Sequence, residues 1–484
     1  MKRVLADSLV LCVAYLVAFL LRFDFQTPSF GWGAVLLGLP MMLVVGMGAL
    51  TITGCERLHA QWVTLSAVPR FVGAIALMVT IQLILRWVWD FPAAVWLRPP
   101  LSIALMAGVL SLLGILALRY VGRLQLRPIK VEELLGRSEA EVNTTRVLNA
   151  LRGKTVVITG AGGSIGFELT RQVLAASPKR LILIERSEVA LYTLCEQLEA
   201  ALAKTSVATL VGDCGDRAWI RHLLRSERPE IVLHAAAYKH VPILEVNPCA
   251  ALKNNALATR TLAEASAEYG VQTFVLISSD KAVRPISVLG ITKRLAELFV
   301  LDLEGRSQTH FCAVRFGNVL ESSGSAVPKF RRQIQQGGPV TITDPRMKRY
   351  FMTLPEAAGL VLQAATLARG GEILVLDMGH PVSVKQLVET MIRQSGLRPG
   401  KDIAIVYTGI RPGEKLEESL GLTDEQTEKT IHNRIFTRRE TRPSNAAVEA
   451  LLVQCIALAA EEGDLEASRL QSLLTTEGNT HEVI

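Results

Sequence analysis

Four long apolar stretches before residue 121 most constrain how this chain can fold. Each has about the length that a helix needs to cross a hydrocarbon core of ~30 Å. Half of all 484 residues are hydrophobic, and the mean hydropathy is +0.31, a balance that excludes a disordered chain. The sequence therefore predicts a transmembrane domain at residues 1–122, with four helices near 4–21, 32–52, 71–88 and 101–118.

Charge and cysteine content further limit the kind of protein that this chain can be. Lysine and arginine flank the apolar stretches mainly on one side, so everything after Arg119 is predicted to be cytoplasmic. The net charge of +7 includes no Lys/Arg run that would indicate nucleic acid. The seven cysteines are scattered without a CxxC pair, so no metal is expected.

The remainder divides into three segments. Residues 123–152 are predicted to be a linker or latch. From 153 to 423, short β-branched runs alternate with helical patterns, which predicts an α/β domain with a Rossmann-like, doubly wound parallel sheet and a smaller substrate-binding lobe after Arg315. Residues 424–484 are predicted to be a helical C-terminal tail.

The first strand of this domain leads into a glycine-rich segment. Residues 159–166 read Thr-Gly-Ala-Gly-Gly-Ser-Ile-Gly, and a helical stretch follows. Gly160 permits a tight turn, Gly163 lets the backbone approach a pyrophosphate, and Gly166 allows close packing of helix on strand. The segment predicts a dinucleotide site at a helix N-terminus.

The end of the second strand indicates which dinucleotide. Glu185 stands there, and a carboxylate favours the free 2′-hydroxyl of NAD over the 2′-phosphate of NADP. Arg186 would suit NADP, or it forms an exposed salt bridge. Asp213 is placed either to bind the adenine amine or to cap a turn. The predicted NAD-binding residues are Gly160, Gly162, Gly163, Ser164, Ile165, Gly166, Glu185, Asp213, Ala235, Ala236 and Lys293.

Five further segments carry a family resemblance. They are residues 234–242, 278–285, 315–319, 348–353 and 411–415. With the glycine segment and the apolar helices, they resemble the extended short-chain dehydrogenase/reductase family, and more narrowly the membrane-anchored UDP-N-acetylglucosamine 4,6-dehydratases of bacterial glycan synthesis. The likeness extends to about Leu420 and implies a multi-pass protein of the bacterial inner membrane.

The resemblance implies both a reaction and roles for single residues. The sugar is oxidised at C4 by hydride transfer to NAD⁺, loses its C5 proton and C6 hydroxyl, and receives the hydride back at C6. Lys281 would take the C5 proton, Asp280 would protonate the leaving hydroxyl, and Ser279, Asp280 or a water would serve the C4 hydroxyl. Ser279, Asp280 and Lys281 follow a strand, at the sheet edge where such sheets hold ligands. NAD⁺ nearby is expected to lower the pKa of Lys281.

One position departs from the usual family pattern. Ordinary members carry Tyr-x-x-x-Lys, whereas here Lys293 is present and Leu289 occupies the tyrosine position. Leucine cannot carry a proton, which disfavours a 4-epimerase. The membrane-bound dehydratases usually have methionine there and retain the C5 configuration, so a retaining reaction is expected.

The resemblance also implies the substrate and its binding residues. A UDP-N-acetylhexosamine would be held by Lys239, His240, Asn318, Arg349, Arg411 and Glu414. Glu321 replaces a usual glycine, which is expected to alter the loop 322–325. The other expected partners are the lipid bilayer, a second copy of the chain and downstream glycan-assembly enzymes. Two alternatives stay open: a UDP-sugar 4-epimerase, and a non-catalytic, membrane-tethered NAD-binding scaffold.

Overall fold

The computed structural model describes residues 2–25, 31–55, 68–88, 101–124, 137, 140, 142, 144–421, 427–438, 444–461 and 466–474. The chain divides into two compact units. One comprises Met1–Ile129, Arg331–Val340 and Met391–Ile405, and the other comprises Lys130–Phe330, Thr341–Thr390 and Val406–Ile484.

The first unit contains four long helices, α1 (Lys2–Arg22), α2 (Gly31–Ile52), α3 (Val68–Val88) and α4 (Leu101–Leu124). Among the described residues, three helices are long and apolar enough for a membrane span, over Leu5–Arg22, Val68–Leu85 and Leu101–Leu118. The prediction of four spans is wrong on this point. α2 is not among these three, and the apolar stretch described within it is Gly38–Ile52.

The four helices are apolar on both their inner and outer sides. Leu11 and Met78 are buried in the shared interior, whereas Leu9 is 64% exposed and Leu113 is 58% exposed. Gly46 lies so close to Leu11 that a Cβ atom would come within 2.9 Å of its Cδ1. Small residues thus allow close helix packing, and the exposed leucines give an outer surface suited to lipid.

The second unit is built on a sheet of nine strands within the described ranges. Its strands lie in the order β14-β15-β11-β6-β5-β4-β1-β2-β3. The strands of the protein are β1 (Thr155–Thr159), β2 (Arg180–Glu185), β3 (Val207–Val211), β4 (Ile231–His234), β5 (Thr273–Ile277), β6 (His310–Arg315), β7 (Asn318–Val319), β8 (Val340–Ile342), β9 (Lys348–Arg349), β10 (Phe351–Met352), β11 (Glu372–Leu376), β12 (Val382–Ser383), β13 (Ile405–Tyr407), β14 (Thr427–Lys429) and β15 (Ile435–Arg438).

The seven strands from β11 to β3 are parallel. β1 is buried along its whole length, which is typical of a strand covered by helices on both faces. The strand order reverses between β1 and β4, and the carboxyl ends of β1, β4 and β5 therefore border the crevice where open α/β sheets hold ligands. The predicted parallel α/β sheet is confirmed.

Helices connect and cover these strands. They are α5 (Thr144–Leu151), α6 (Ser164–Ala175), α7 (Glu188–Leu202), α8 (Arg217–Glu227), α9 (Val241–Glu245), α10 (Pro248–Ala251), α11 (Ala258–Glu268), α12 (Val288–Leu301), α13 (Ala326–Gln335), α14 (Leu354–Leu367), α15 (Val384–Gln394), α16 (Asn445–Ala460) and α17 (Ala467–Ser472), with a π turn at Leu252–Leu257 and a 3-10 turn at Asp280–Ala282. Side chains cap several of them: Asp216 accepts a hydrogen bond from the Trp219 amide at the start of α8.

The C-terminal segment differs from the helical tail predicted for 424–484. It begins with β14 and β15, which extend the sheet because β15 pairs antiparallel with β11. α16 and α17 then pack on α12, where Leu458 and Leu470 join Leu289 in one buried cluster. Pairing with an existing sheet edge, which local sequence does not encode, makes 427–438 extended.

Part of the predicted linker 123–152 is anchored to the second unit, and its stretch 125–136 lies outside the described residues. The Arg137 guanidinium donates to both carboxylate oxygens of Glu356, at 2.7 and 3.2 Å, and to the Met378 carbonyl. The Ala140 amide also donates to Glu356, whose side chain is fully buried. The segment before α5 is therefore held by a buried ion pair.

Candidate active site

The glycine segment forms a tight turn between β1 and α6. Gly160 has a φ of +64°, and a Cβ on it would lie 2.7 Å from the Ala236 backbone. A Cβ on Gly166 would lie 2.0 Å from the Gly160 carbonyl oxygen. A Cβ on Gly163 would lie 3.2 Å from the Gly160 carbonyl oxygen, also a tight contact. Gly163 is the N-cap of α6, the position where a helix N-terminus binds an anion.

Replacing Gly166 with alanine is expected to weaken both folding and dinucleotide binding. The new methyl group would overlap the Gly160 carbonyl, and backbone atoms on both sides cannot move aside as a flexible side chain can. We expect a loss of about 1–3 kcal/mol in unfolding free energy, measured by thermal melting with and without NAD. Gly73→Ala, at a helical position of α3 where a Cβ meets nothing within 4 Å, controls for loss of glycine alone. Unchanged melting and NAD affinity in Gly166→Ala would contradict this packing.

Glu185 lies at the end of β2 and reaches the glycine turn. Its carboxylate accepts hydrogen bonds from the amides of Gly162 at 3.0 Å and of Arg186 at 2.9 Å. Arg186 is 58% exposed and forms an ion pair with Asp213 at 3.6 Å. Asp213 also accepts from the Gly215 amide at 2.8 Å. Arg186 thus takes the salt-bridge alternative in this structure, and Asp213 caps its turn.

The segment after β4 borders the same crevice. The amides of Ala235 and Ala236 donate to Thr159, to its carbonyl and its hydroxyl respectively. Both ring nitrogens of His234 are hydrogen-bonded to threonine hydroxyls, and burial, followed by the charge of Lys293, lowers its pKa to about 3. His234 is therefore a neutral structural residue.

Lys239 and His240 come next and lie on the surface of this segment. The His240 ring packs over Gly324, where a Cβ would lie 2.6 Å from its Cε1. The loop at 322–325 also contacts the glycine turn, because the Ser323 amide donates to the Ser164 hydroxyl at 2.9 Å. This loop therefore brings Ser164 and His240 to one side of the crevice.

Glu321, which precedes this loop, has a left-handed backbone with φ +62°. A glycine adopts this conformation without the steric cost that a side chain adds. The predicted change in the loop thus has a physical basis at its first residue, and the loop nevertheless keeps its contact with Ser164.

A compact polar cluster follows β5. Asp280 is completely buried, and its Oδ1 accepts hydrogen bonds from the Ser279 hydroxyl at 3.0 Å and from Lys281 Nζ at 2.9 Å. Asp280 Oδ2 has no hydrogen-bond partner within the described part of the chain. Lys281 Nζ also donates to Asn318 Oδ1 at 3.2 Å. The structure thus brings four of the predicted site residues into contact.

The charge state of Lys281 differs from the expected one. Burial favours the neutral amine, but the carboxylates of Asp280 and Glu418 outweigh this effect and raise its pKa. Glu418 Oε1 lies 3.8 Å from Nζ. The expected lowering assumed a bound NAD⁺ and did not anticipate a second carboxylate. The protein alone therefore holds Lys281 as an ammonium ion.

Lys293 lies one helical turn after Leu289 on α12. Its Nζ donates to the Ile277 carbonyl at the end of β5, at 2.7 Å. Burial lowers its pKa to about 8, although the charge of Glu297 acts in the opposite sense. Leu289 is 4% exposed and belongs to the core. The tyrosine position thus holds a packing residue, and Lys293 is fixed beside the strand that carries the polar cluster.

A buried charge network that sequence reasoning missed supports this strand. Glu297 accepts from Arg315 at 2.6 and 2.7 Å and from the Ser278 hydroxyl at 2.6 Å. Its side chain is fully buried, and that of Arg315 is 2% exposed. Burial would raise the pKa of Glu297, but its arginine partners lower it. The network joins α12, β6 and the residue before Ser279.

The remaining predicted substrate residues divide into two groups. Arg411 pairs with Glu414, its Nε donating at 3.1 Å, and is half exposed. Lys329, which the sequence did not indicate, lies near this pair, since both charges influence its pKa. Arg349 is 7% exposed and donates to the carbonyls of Lys348, Leu416 and Lys415. Its guanidinium therefore holds backbone, which a substrate contact would have to displace.

The chain is similar in sequence to proteins of polysaccharide biosynthesis. The family described as "Polysaccharide biosynthesis protein" matches residues 156–440. The chain is 49% identical over 297 residues to the probable polysaccharide biosynthesis protein EpsC of Bacillus subtilis, a match that covers 61% of this chain and 50% of that protein. The chain therefore spans about half the length of this relative.

Two more distant relatives differ in their named activities. A UDP-N-acetylglucosamine 4,6-dehydratase (inverting) of Campylobacter jejuni is 32% identical over 278 residues, which is 56% of this chain and 79% of that one. A UDP-glucose 4-epimerase of Rickettsia prowazekii is 32% identical over 274 residues, which is 55% of this chain and 77% of that one.

A solved structure is also similar. The X-ray structure of Pen from Bacillus thuringiensis is 31% identical, with a TM-score of 0.56, and the match covers 63% of this chain and 99% of that one.

Proposed function

Because the chain belongs to the family of polysaccharide biosynthesis proteins, we propose that it is a nucleotide-sugar 4,6-dehydratase. Its substrate is UDP-N-acetylglucosamine, its product is the 4-keto-6-deoxy sugar nucleotide, and its cofactor is NAD. The observation that carries this proposal is the Asp280–Lys281 pair, an acid and an amine 2.9 Å apart after β5. Such a pair supplies the two proton transfers that removal of water from C5 and C6 requires.

The glycine turn and Glu185 fit the dinucleotide. Gly163 is the N-cap of α6, where the pyrophosphate would meet the helix N-terminus. Glu185, which now accepts hydrogen bonds from backbone amides, would accept them from the adenosine ribose. Lys293 would hold the nicotinamide ribose. When bound, NAD supplies hydride chemistry, accepting the C4 hydride and returning it to C6.

The chain's own residues account for the protons. The C4 hydroxyl gives its proton to Asp280, directly or through Ser279, whose hydroxyl lies 3.0 Å from Oδ1. Asp280 then gives this proton to the C6 hydroxyl, which leaves as water. The Lys281 amine, which would release its ammonium proton to solvent when NAD⁺ is bound beside it, takes the C5 proton and later returns a proton to C5. Leu289 has no part in these transfers, and the resemblance to the membrane-bound enzymes favours retention at C5.

The membrane unit fits this function. Three helices are long and apolar enough to span a bilayer, and we propose that they anchor the enzyme in the inner membrane with the second unit in the cytoplasm. A soluble sugar nucleotide does not require a membrane enzyme. Glycan assembly on a lipid carrier, however, would benefit from product released at the membrane.

The test is incubation of the full-length protein with UDP-N-acetylglucosamine and NAD⁺ in D₂O, followed by NMR. A 4-keto-6-deoxy sugar with a solvent deuteron at C5 is expected, with the C5 configuration of the substrate retained. An inverted C5 would remove the retaining assignment. A C4-inverted sugar without change at C6 would show an epimerase, and NAD binding without turnover of any UDP-sugar would show a scaffold.

A further inference from the structure

Glu418 is a buried carboxylate that the proposed chemistry does not use. Its side chain is 3% exposed, and it lies at the end of the segment that begins with Arg411. Its Oε1 is 3.8 Å from Lys281 Nζ, and its Oε2 is 3.7 Å from Lys415 Nζ. Within the described part of the chain, Oε2 has no hydrogen-bond partner. An incompletely bonded carboxylate is costly to bury, so packing alone does not account for it.

Glu418 lies between two ammonium groups, those of Lys281 and Lys415. Lys415 also donates to the Val283 carbonyl at 2.8 Å, whereas Lys281 lies in the polar cluster with Asp280. Glu417, the preceding residue, points outward, is 56% exposed and pairs with Lys348 at 2.6 Å. Adjacent carboxylates thus face opposite ways, and the one at 418 faces the catalytic lysine.

Arg349 fixes this orientation. Its guanidinium donates to the carbonyls of Lys415 and Leu416, at 2.8 and 3.0 Å, just before Glu418 in the chain. These contacts hold the backbone of the segment beside β9. Arg349 therefore holds the backbone that leads into Glu418.

We propose that Glu418 is a positioning residue for Lys281, an inference that rests on the proposed function. Glu418 and Asp280 hold the Lys281 amine between two carboxylates until the cofactor and substrate bind. The charged and titratable groups that face Lys281 are Asp280 on its own turn, Glu418 and Lys415 on the segment after Arg411, and Arg349 on β9. Asp280 hydrogen-bonds Lys281 Nζ. Glu418 Oε1 lies 3.8 Å from the same nitrogen, beyond hydrogen-bond distance, so the effect of Glu418 is chiefly electrostatic.

The experiment compares full-length wild type with Glu418→Gln, Glu418→Asp and the control Glu417→Gln. Since the carboxylate stabilises the ammonium ion, its removal makes Lys281 lose its proton at lower pH. In Glu418→Gln we expect the acidic limb of the pH profile of kcat/KM to move down by about one pH unit. Glu418→Asp should keep the limb near its wild-type position, and Glu417→Gln should match wild type.

A second measurement does not depend on turnover. The rate at which acetic anhydride modifies Lys281 is followed against pH by mass spectrometry of the peptide that contains it. Glu418→Gln should shift this titration downward by a similar amount, and an unshifted titration would overturn the inference whatever the activity. A shifted titration in a protein that converts no UDP-sugar would instead reject the proposed function and leave the Glu418–Lys281 coupling intact.

Discussion

Asp280→Asn and Lys281→Met are each expected to lower the turnover of UDP-N-acetylglucosamine by about 10²- to 10⁴-fold, the range that general acid–base catalysis supplies. Asparagine keeps the volume of Asp280 but cannot carry the proton from the C4 hydroxyl to the C6 hydroxyl. Methionine keeps the length of Lys281 without its amine, so the C5 proton has no acceptor. Product formation and deuterium uptake at C5 are measured by NMR.

The two variants should differ in which step of the reaction they block. Asp280→Asn leaves Lys281 in place, whereas Lys281→Met removes the proton acceptor at C5, so deuterium uptake should be lost in the second variant even if C4 is oxidised. Lys348→Met and Glu417→Gln, which remove an exposed ion pair on the neighbouring β9 segment, should keep wild-type turnover. Full activity in either cluster variant, with NAD bound, would reject the assigned roles.

Local features of the sequence identify the dinucleotide turn and the polar cluster. Positive φ at Gly160 and close contact at Gly166 demand glycine whatever the rest of the fold does. Asp280 and Lys281 come three and four residues after the buried strand β5 ends, so their position near the sheet edge follows from the strand itself. Such features depend on neighbours within a few residues, and a single sequence is enough to find them.

Contacts between distant segments could not be found in this way. Glu418 approaches Lys281 on a segment that Arg349 holds by its backbone carbonyls, and such contacts carry no sequence signal. The same limit applies to Arg349. Its residue type suggests phosphate binding, whereas its burial against backbone carbonyls depends on the packed fold. Strand β15 likewise forms because β11 offers it a partner.

Arg315→Met is expected to cause the largest loss of stability. Glu297 would remain fully buried without its bidentate partner, and breaking a buried ion pair from one side costs about 3–5 kcal/mol. For a large domain the melting temperature should fall by roughly 6–20 °C, measured by thermal unfolding of the full-length protein. Arg346→Met, which removes an ion pair from an arginine that is 70% exposed, should leave the melting temperature unchanged.

The pH dependence of this loss tests its cause. The pKa of Glu297 is lowered in the folded protein, so its ionised form contributes stability above the unfolded pKa of about 4.3, and this contribution is lost as the pH falls through the folded value. In Arg315→Met this part of the acid dependence should shrink. The double variant Glu297→Met, Arg315→Met should lose less stability than the sum of the two single variants, because each single variant already breaks the Glu297–Arg315 pair. If the double variant were less stable by the sum of both single effects, the two side chains would act independently, and the buried pair would not be the source of the loss.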